Sequence, residues 1–165
     1  MLSFRPATHQ DDGAIWSLFQ GAIAGGDAFV FDPETPREVA LAYWFQPGAF
    51  PTVAELDGQI VGSYVLKPNQ PGLGSHVANG AYTVSPAARG HGVGKALGEH
   101  SLMAAKRLGF RAVQFNAVVA TNGPAVRLWP GLGFRIVGTL PGAFHHRQLG
   151  YVDLLVMFRS LDDIP

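Results

Sequence analysis

The 165-residue sequence contains no cysteine. That excludes a disulfide framework, thiolate metal sites and a cysteine nucleophile, and it fits a reducing compartment. Charge is scarce too: Asp, Glu, Lys and Arg make up 15% against 47% apolar residues, which excludes a disordered chain and calls for a packed core. No apolar run approaches the roughly eighteen residues that a membrane span needs. The start, "MLSFRPATHQDD", is too polar and too soon acidic for a secretory leader. A single domain over residues 1–165, cytoplasmic and without a membrane partner, is the expectation.

Acid is unevenly missing. Between residues 58 and 152 Glu99 is the only acid against nine basic side chains, whereas residues 1–57 hold eight acids and two basic residues. A basic middle suits an anionic ligand on one face, with ordinary solvated charge as the alternative. Neither an arginine-rich run nor an aromatic-basic alternation is present, so nucleic acid is not expected as a partner.

Periodicity supplies the elements. "LSFRPAT" reads as a strand ending at Pro6, and Asp11 or Asp12 as the cap of a helix through about Ala24. "GGDAFVFDPETP" is a loop, and a second helix starts near Pro36 and stops before Pro47. Trp16 and Trp44, at helical spacing among apolar neighbours, are expected in the core. The period then falls to two across a hairpin at Asp57-Gly58, and "HVANGAYTVSP" is a further strand. After a glycine-rich turn come a helix over roughly 92–108, the strand "RAVQFNAVVA", a short helix in "NGPAVRLWPGLG", the strand "FRIVGTL", a 140–150 loop and the strand "YVDLLVMFRSL". This is a mixed α/β order, with seven strands and four helices.

The turn "ARGHGVGKAL" carries the chemistry. It is not a P-loop, because Ala96 stands where the magnesium-binding hydroxyl belongs and Arg89 where the first glycine belongs. Nor is it a dinucleotide fingerprint: counting from Gly90 or Gly92, Lys95 or Leu97 fills the third glycine position. Glycines opening a helix beside Arg89 and Lys95 leave free amides for a pyrophosphate. The alternative is a tight turn whose glycines only supply positive φ.

"VSPAARGHGVGKAL" resembles the acetyl-CoA-binding motif of the GNAT superfamily of N-acetyltransferases, [QR]-x-x-G-x-[GA], with Arg89, Gly92 and Gly94 in register. "NGPAVRLWPGLGF" resembles that family's second motif through Asn122, Ala125, Leu128 and the Leu132-Gly133-Phe134 ending. The resemblance implies the GNAT fold, an α/β (α+β) mixed sheet of about seven strands with about four helices and a cofactor cleft where the fourth and fifth strands splay. It implies acetyl-CoA as co-substrate, held by Val84 on the pantetheine, by the amides of Arg89, Gly90, His91, Gly92, Val93, Gly94 and Lys95 on the pyrophosphate, and by Asn122 on the pantetheine arm. An amine of a small-molecule acceptor would then attack the thioester directly.

Two departures from the family pattern stand out. Trp129 occupies the place of a tyrosine that protonates the departing thiolate, and indole cannot do so. The fourth strand also lacks the glutamate that often serves as base, leaving His76, Tyr82, the His145-His146 pair or ordered water. The His145-His146 pair has no further ligands at metal spacing, so no metal is expected and the pair is loop or a rim over the acceptor site, and His91 and His100 read as solvent-facing. Asn79 and Asn116 interrupt apolar strands, either satisfied by backbone at a bulge or aimed at the cleft to orient the acceptor. With "RLW" they resemble the subgroup that acetylates proline analogues such as azetidine-2-carboxylate, with Arg111 or Arg147 for a carboxylate. Asn79, Asn116 and Tyr82 are the catalytic candidates. Two other readings stay open: an acyl-CoA-sensing module without turnover, and a protein N-terminal or lysine acetyltransferase. The oligomeric state also stays open, a homodimer included.

Overall fold

The computed structural model describes residues 1–165. The chain runs β1 (Leu2–Pro6), α1 (Asp12–Ile23), α2 (Arg37–Trp44), β2 (Phe50–Leu56), β3 (Gln59–Pro68), β4 (Val77–Val84), α3 (Val93–Arg107), β5 (Ala112–Val119), α4 (Gly123–Gly131), β6 (Arg135–His146) and β7 (Gly150–Ser160), with short 3-10 turns between some of them. The expected order of elements therefore holds. One seven-stranded sheet has the order β1-β2-β3-β4-β5-β7-β6. Its neighbours are antiparallel except β4 and β5, which run parallel. No helix is long and apolar enough to cross a membrane.

Side-chain alternation along the central strands builds a core on each face of the sheet. Tyr64 and Leu66 of β3 join Leu97, Leu102, Val113 and Met157 beneath α3 and α4, whereas Val53 and Val65 join Ile15, Phe19, Ile23 and Trp44 beneath α1 and α2. β3 is buried on both sides from Gly62 to Leu66, with Ser63 the polar side chain among them. Trp44 is fully enclosed, its indole N–H donating to Ser63 Oγ at 2.8 Å, and Trp16 packs at the edge of that cluster. The hairpin turn at Asp57 (φ 51°) and Gly58 (φ 79°) has the paired positive φ of a type I′ turn.

Three local expectations change. The start of the first helical segment is capped by Thr8, which forms a capping box with Asp11 over a 3-10 turn, while the Asp11 carboxylate makes no cap bond to α1. Asp11 instead accepts two bonds from the Arg5 guanidinium at 2.9 Å and one from the Thr8 amide at 2.8 Å. His100 is not solvent-facing: it stacks on Phe4 with ring centroids 4.2 Å apart, and its Nδ1 lies 2.9 Å from the Tyr64 hydroxyl. Finally, most of the 140–150 loop is strand. Pro141 and Gly142 are absorbed in an irregularity between Leu140 and Phe144, after which β6 pairs with β7 again as far as His146. Proline and glycine mark a loop in sequence, but a bulge accommodates both without ending the ladder.

Candidate active site

β4 and β5 pair only through Val77–Ala112 and Ala78–Val113, and then they separate. At the fork the Asn79 amide donates to the Gln114 carbonyl of β5 at 3.1 Å. From Asn79 to Val84 the β5-facing edge of β4 has no strand partner, so its peptide groups face the opening. A cavity of about 1110 Å³ fills the split. Val84, Arg89, Gly90, Gly92, Gly94, Asn122 and Trp129 line one end, and Asp27, Phe29, Phe31, Tyr43, Lys67 and His146 line the other.

The glycine turn supplies the first end. Gly90 (φ 78°) and Gly92 (φ 79°) both adopt left-handed backbone, and Gly92 is the N-cap of α3. The amides of Gly90, Gly92, Val93, Gly94 and Lys95 make no hydrogen bond within the protein; the first amide of the helix with an internal partner is that of Ala96, on the Gly92 carbonyl. Five free N–H groups at the positive end of a fifteen-residue helix form an anion seat. Arg89 is exposed and lines the cavity. The Lys95 side chain lies over Glu99 at 3.7 Å, outside the cavity lining, and His91 turns its Nδ1 to the Arg89 carbonyl at 3.0 Å. Among the lining residues the charged side chains are Asp27, Lys67 and Arg89.

Asn122 lines the cavity as the N-cap of α4, its side chain accepting from the Ala125 amide at 3.5 Å. Trp129, 7% exposed, packs against Tyr82 and Phe115 with centroids 4.7 and 4.5 Å away. Tyr82 presents its ring to the cavity while its hydroxyl meets Ser101 Oγ at 2.8 Å. Burial holds that phenol far above the usual tyrosine range, so it stays protonated and is unsuited to act as a base. Asn116 is exposed at the mouth, donating to Asn69 Oδ1 at 2.7 Å and accepting from Gln114 Nε2 at 2.9 Å. Asn79 and Asn116 thus both have protein partners, one across the fork and one across the mouth.

The other base and carboxylate candidates divide. His76 and Arg111 are exposed outside the lining, joined through the Arg111 amide and the His76 carbonyl at 2.8 Å. His145 stacks on Tyr151 and does not line the cavity. Arg147 is also outside it, its guanidinium bonded to the Ala24 carbonyl at 3.3 Å. His146 alone of these reaches the lining. Sequence reading missed Asp27, Lys67 and Asn69 on the far wall; the paired aromatics of "DAFVFDP" were the one signal that this loop packs against something.

Residues 9–134 match the model of the acetyltransferase (GNAT) family. A GCN5-related N-acetyltransferase from Kribbella flavida is 47% identical, with a TM-score of 0.90 and alignment over 96% of this chain and 97% of that one. The N-acetyltransferase aca1 of Schizosaccharomyces pombe is 40% identical over 108 residues, covering 63% of this chain and 52% of aca1, so the chain spans about half of that relative's length. The yncA protein of Salmonella typhimurium, solved with its cofactor acetyl-CoA, shares the fold at a TM-score of 0.86 and 23% identity, over 100% of this chain and 96% of that one. With forked strands, glycine turn and family match in agreement, the chain belongs to the acetyltransferase (GNAT) family.

Proposed function

We propose that residues 1–165 act as one domain that transfers an acetyl group from acetyl-CoA to an amine of a small molecule, an amino acid or proline analogue being the favoured class. The observation that carries this reading is the set of five unpartnered amides from Gly90 to Lys95, directly beside the open edge of β4. Those amides and Arg89 would hold the pyrophosphate. The free edge around Val84 would pair with the amide-bearing pantetheine arm, and Asn122 would flank it from α4. Acetyl-CoA, when bound there, supplies an acetyl thioester.

The rest of the chemistry belongs to the protein. Holding both reactants in one cleft turns an encounter into an oriented collision. A β4 amide near Val84 would donate to the developing oxyanion. The acceptor nitrogen bonds to the acyl carbon as the carbon–sulfur bond breaks, and no acyl-enzyme on cysteine is available. With Tyr82 held protonated, the amine's proton leaves through water. A thiolate with an ordinary pKa of about 8.5 can depart without an acid at Trp129.

Thiol release from acetyl-CoA across a panel of primary and secondary amines, peptides included, tests this. Turnover on small amines supports it, and activity on peptides alone replaces it with a protein acetyltransferase. Coenzyme A binding without turnover on any amine supports a sensor, the reading that Trp129 in the family's tyrosine place favours.

A further inference from the structure

His146 ends β6 and is 7% exposed. Its Nδ1 accepts two backbone hydrogen bonds, from the amides of Gln148 and Leu149, each 3.0 Å long. Two N–H groups pointing at one ring nitrogen leave no room for a proton there, so the imidazole is the neutral tautomer with its hydrogen on Nε2. No protein atom partners Nε2, and no side-chain nitrogen or oxygen in the protein is both sealed and unpartnered. His146 lines the cleft between β4 and β5, so that unsealed nitrogen is open to a ligand there.

The ring is also held in place. The Arg147 amide donates to the Gly26 carbonyl at 3.0 Å and the Arg147 guanidinium to the Ala24 carbonyl, tying the β6–β7 turn to the end of α1. Lys67, seated over the Tyr43 ring 4.8 Å from its centroid, adds a positive charge to the same cavity lining.

We propose that His146 is a fixed hydrogen-bond donor that reads an oxygen, carbonyl or carboxylate, on the acceptor, and that it is a positioning residue rather than the base. The assignment rests on the acetyl-transfer reading for the identity of the acceptor. A base would need a free lone pair, and the only one on this ring is already shared by two amides.

Two variants separate donor from scaffold. His146→Asn keeps an oxygen near the Nδ1 position for the turn and loses the reach of Nε2–H. His146→Gln keeps a donor at the Nε2 distance and gives up the turn contact. Three amine pairs that differ in a carboxylate serve as probes: azetidine-2-carboxylate with azetidine, proline with pyrrolidine, and glycine with methylamine. With acetyl-CoA saturating, His146→Asn should raise KM for the carboxylated member that the parent acetylates best by about tenfold, the loss of one hydrogen bond. Its kcat should hold, the unsubstituted partner should be unaffected, and His146→Gln should lose less.

An Asn variant that outperforms Gln, with a melting temperature that tracks the losses, overturns the proposal in favour of a turn scaffold. A fall in kcat of a hundredfold or more at constant KM overturns it in favour of a base. If the parent binds coenzyme A but acetylates no member of any pair, the function proposed above fails separately. Calorimetry of the same pairs on the coenzyme A-loaded protein then decides. A preference for the carboxylated member that His146→Asn erases supports the donor, whereas equal affinities, or no binding of either member, overturn it.

Discussion

Gly92 shows how one backbone angle can set out a row of free amides. At φ 79° it turns the chain so that successive amides face outward as α3 begins, and a Cβ added there would meet no protein atom within 4 Å. Any other L-residue would be strained there by roughly 1–2 kcal/mol, and a carboxylate would occupy the anion seat itself. Gly92→Glu should therefore weaken coenzyme A binding by at least a hundredfold in calorimetry; unchanged affinity would remove the turn from the site. Trp129 poses the opposite question, since its indole packs among Tyr82, Phe115 and Phe134 and offers no acid. Trp129→Phe should keep turnover within about threefold of the parent while lowering the melting temperature through lost packing. A folded but inactive variant would show that the indole takes part in the chemistry.

Among the elements, the junction of β4 and β5 matters most. Its two-residue ladder is too short to set the angle of the split, and Asn79 adds a side-chain bond to Gln114 where the ladder stops. Asn79→Ala leaves that carbonyl without its partner, so unfolding free energy should fall by about 1 kcal/mol and coenzyme A affinity severalfold as the fork loosens. A variant as stable as the parent and equally tight on coenzyme A would show that the clip carries nothing. Loss of turnover alone would return Asn79 to the orienting role that its position in an apolar strand first suggested.

This element was half legible in sequence. "VANGAY" marks an amide among apolar neighbours, and Arg89, Gly92 and Gly94 mark the turn, because both signals are local. Asn79's partner lies 35 residues away on another strand, and no pattern of residue types encodes that. The 140–150 segment misled for a related reason: Pro141 and Gly142 carry the local signature of a loop, whereas pairing with β7 on both sides keeps it a strand.

At the scale of the whole molecule, pH should act through two clusters outside the cleft lining. The Arg5 guanidinium holds the Asp11 carboxyl below the usual range. A lowered folded-state pKa means stability that is complete above the unfolded value near 3.9 and is lost as pH falls through the folded one. His100 is shifted in the same direction, first by burial and then by the charge of Arg107. Its contribution is present above the unfolded value near 6.5 and fades as pH drops below it. Urea midpoints should thus fall as pH drops below about 6.5 in the parent, and less steeply in His100→Asn, with the acid loss below pH 4 common to both. Identical slopes in the two proteins would place the upper titration elsewhere.

The sequence by itself determined the order of elements and marked the glycine turn that we propose as the pyrophosphate seat, because helix period, strand period and a glycine turn are each written within a dozen residues or so. It also determined the family, through two motifs at a set separation. The far wall of the cleft was decided only by the tertiary structure. Asp27, Lys67 and His146 come from a loop, a central strand and a hairpin end, and the sheet brings them to one cavity. The tautomer of His146 belongs to the same class of fact, being set by how a turn closes over the ring. Local patterns reach only as far as their own period, whereas an acceptor site is assembled from side chains that meet after the sheet has formed.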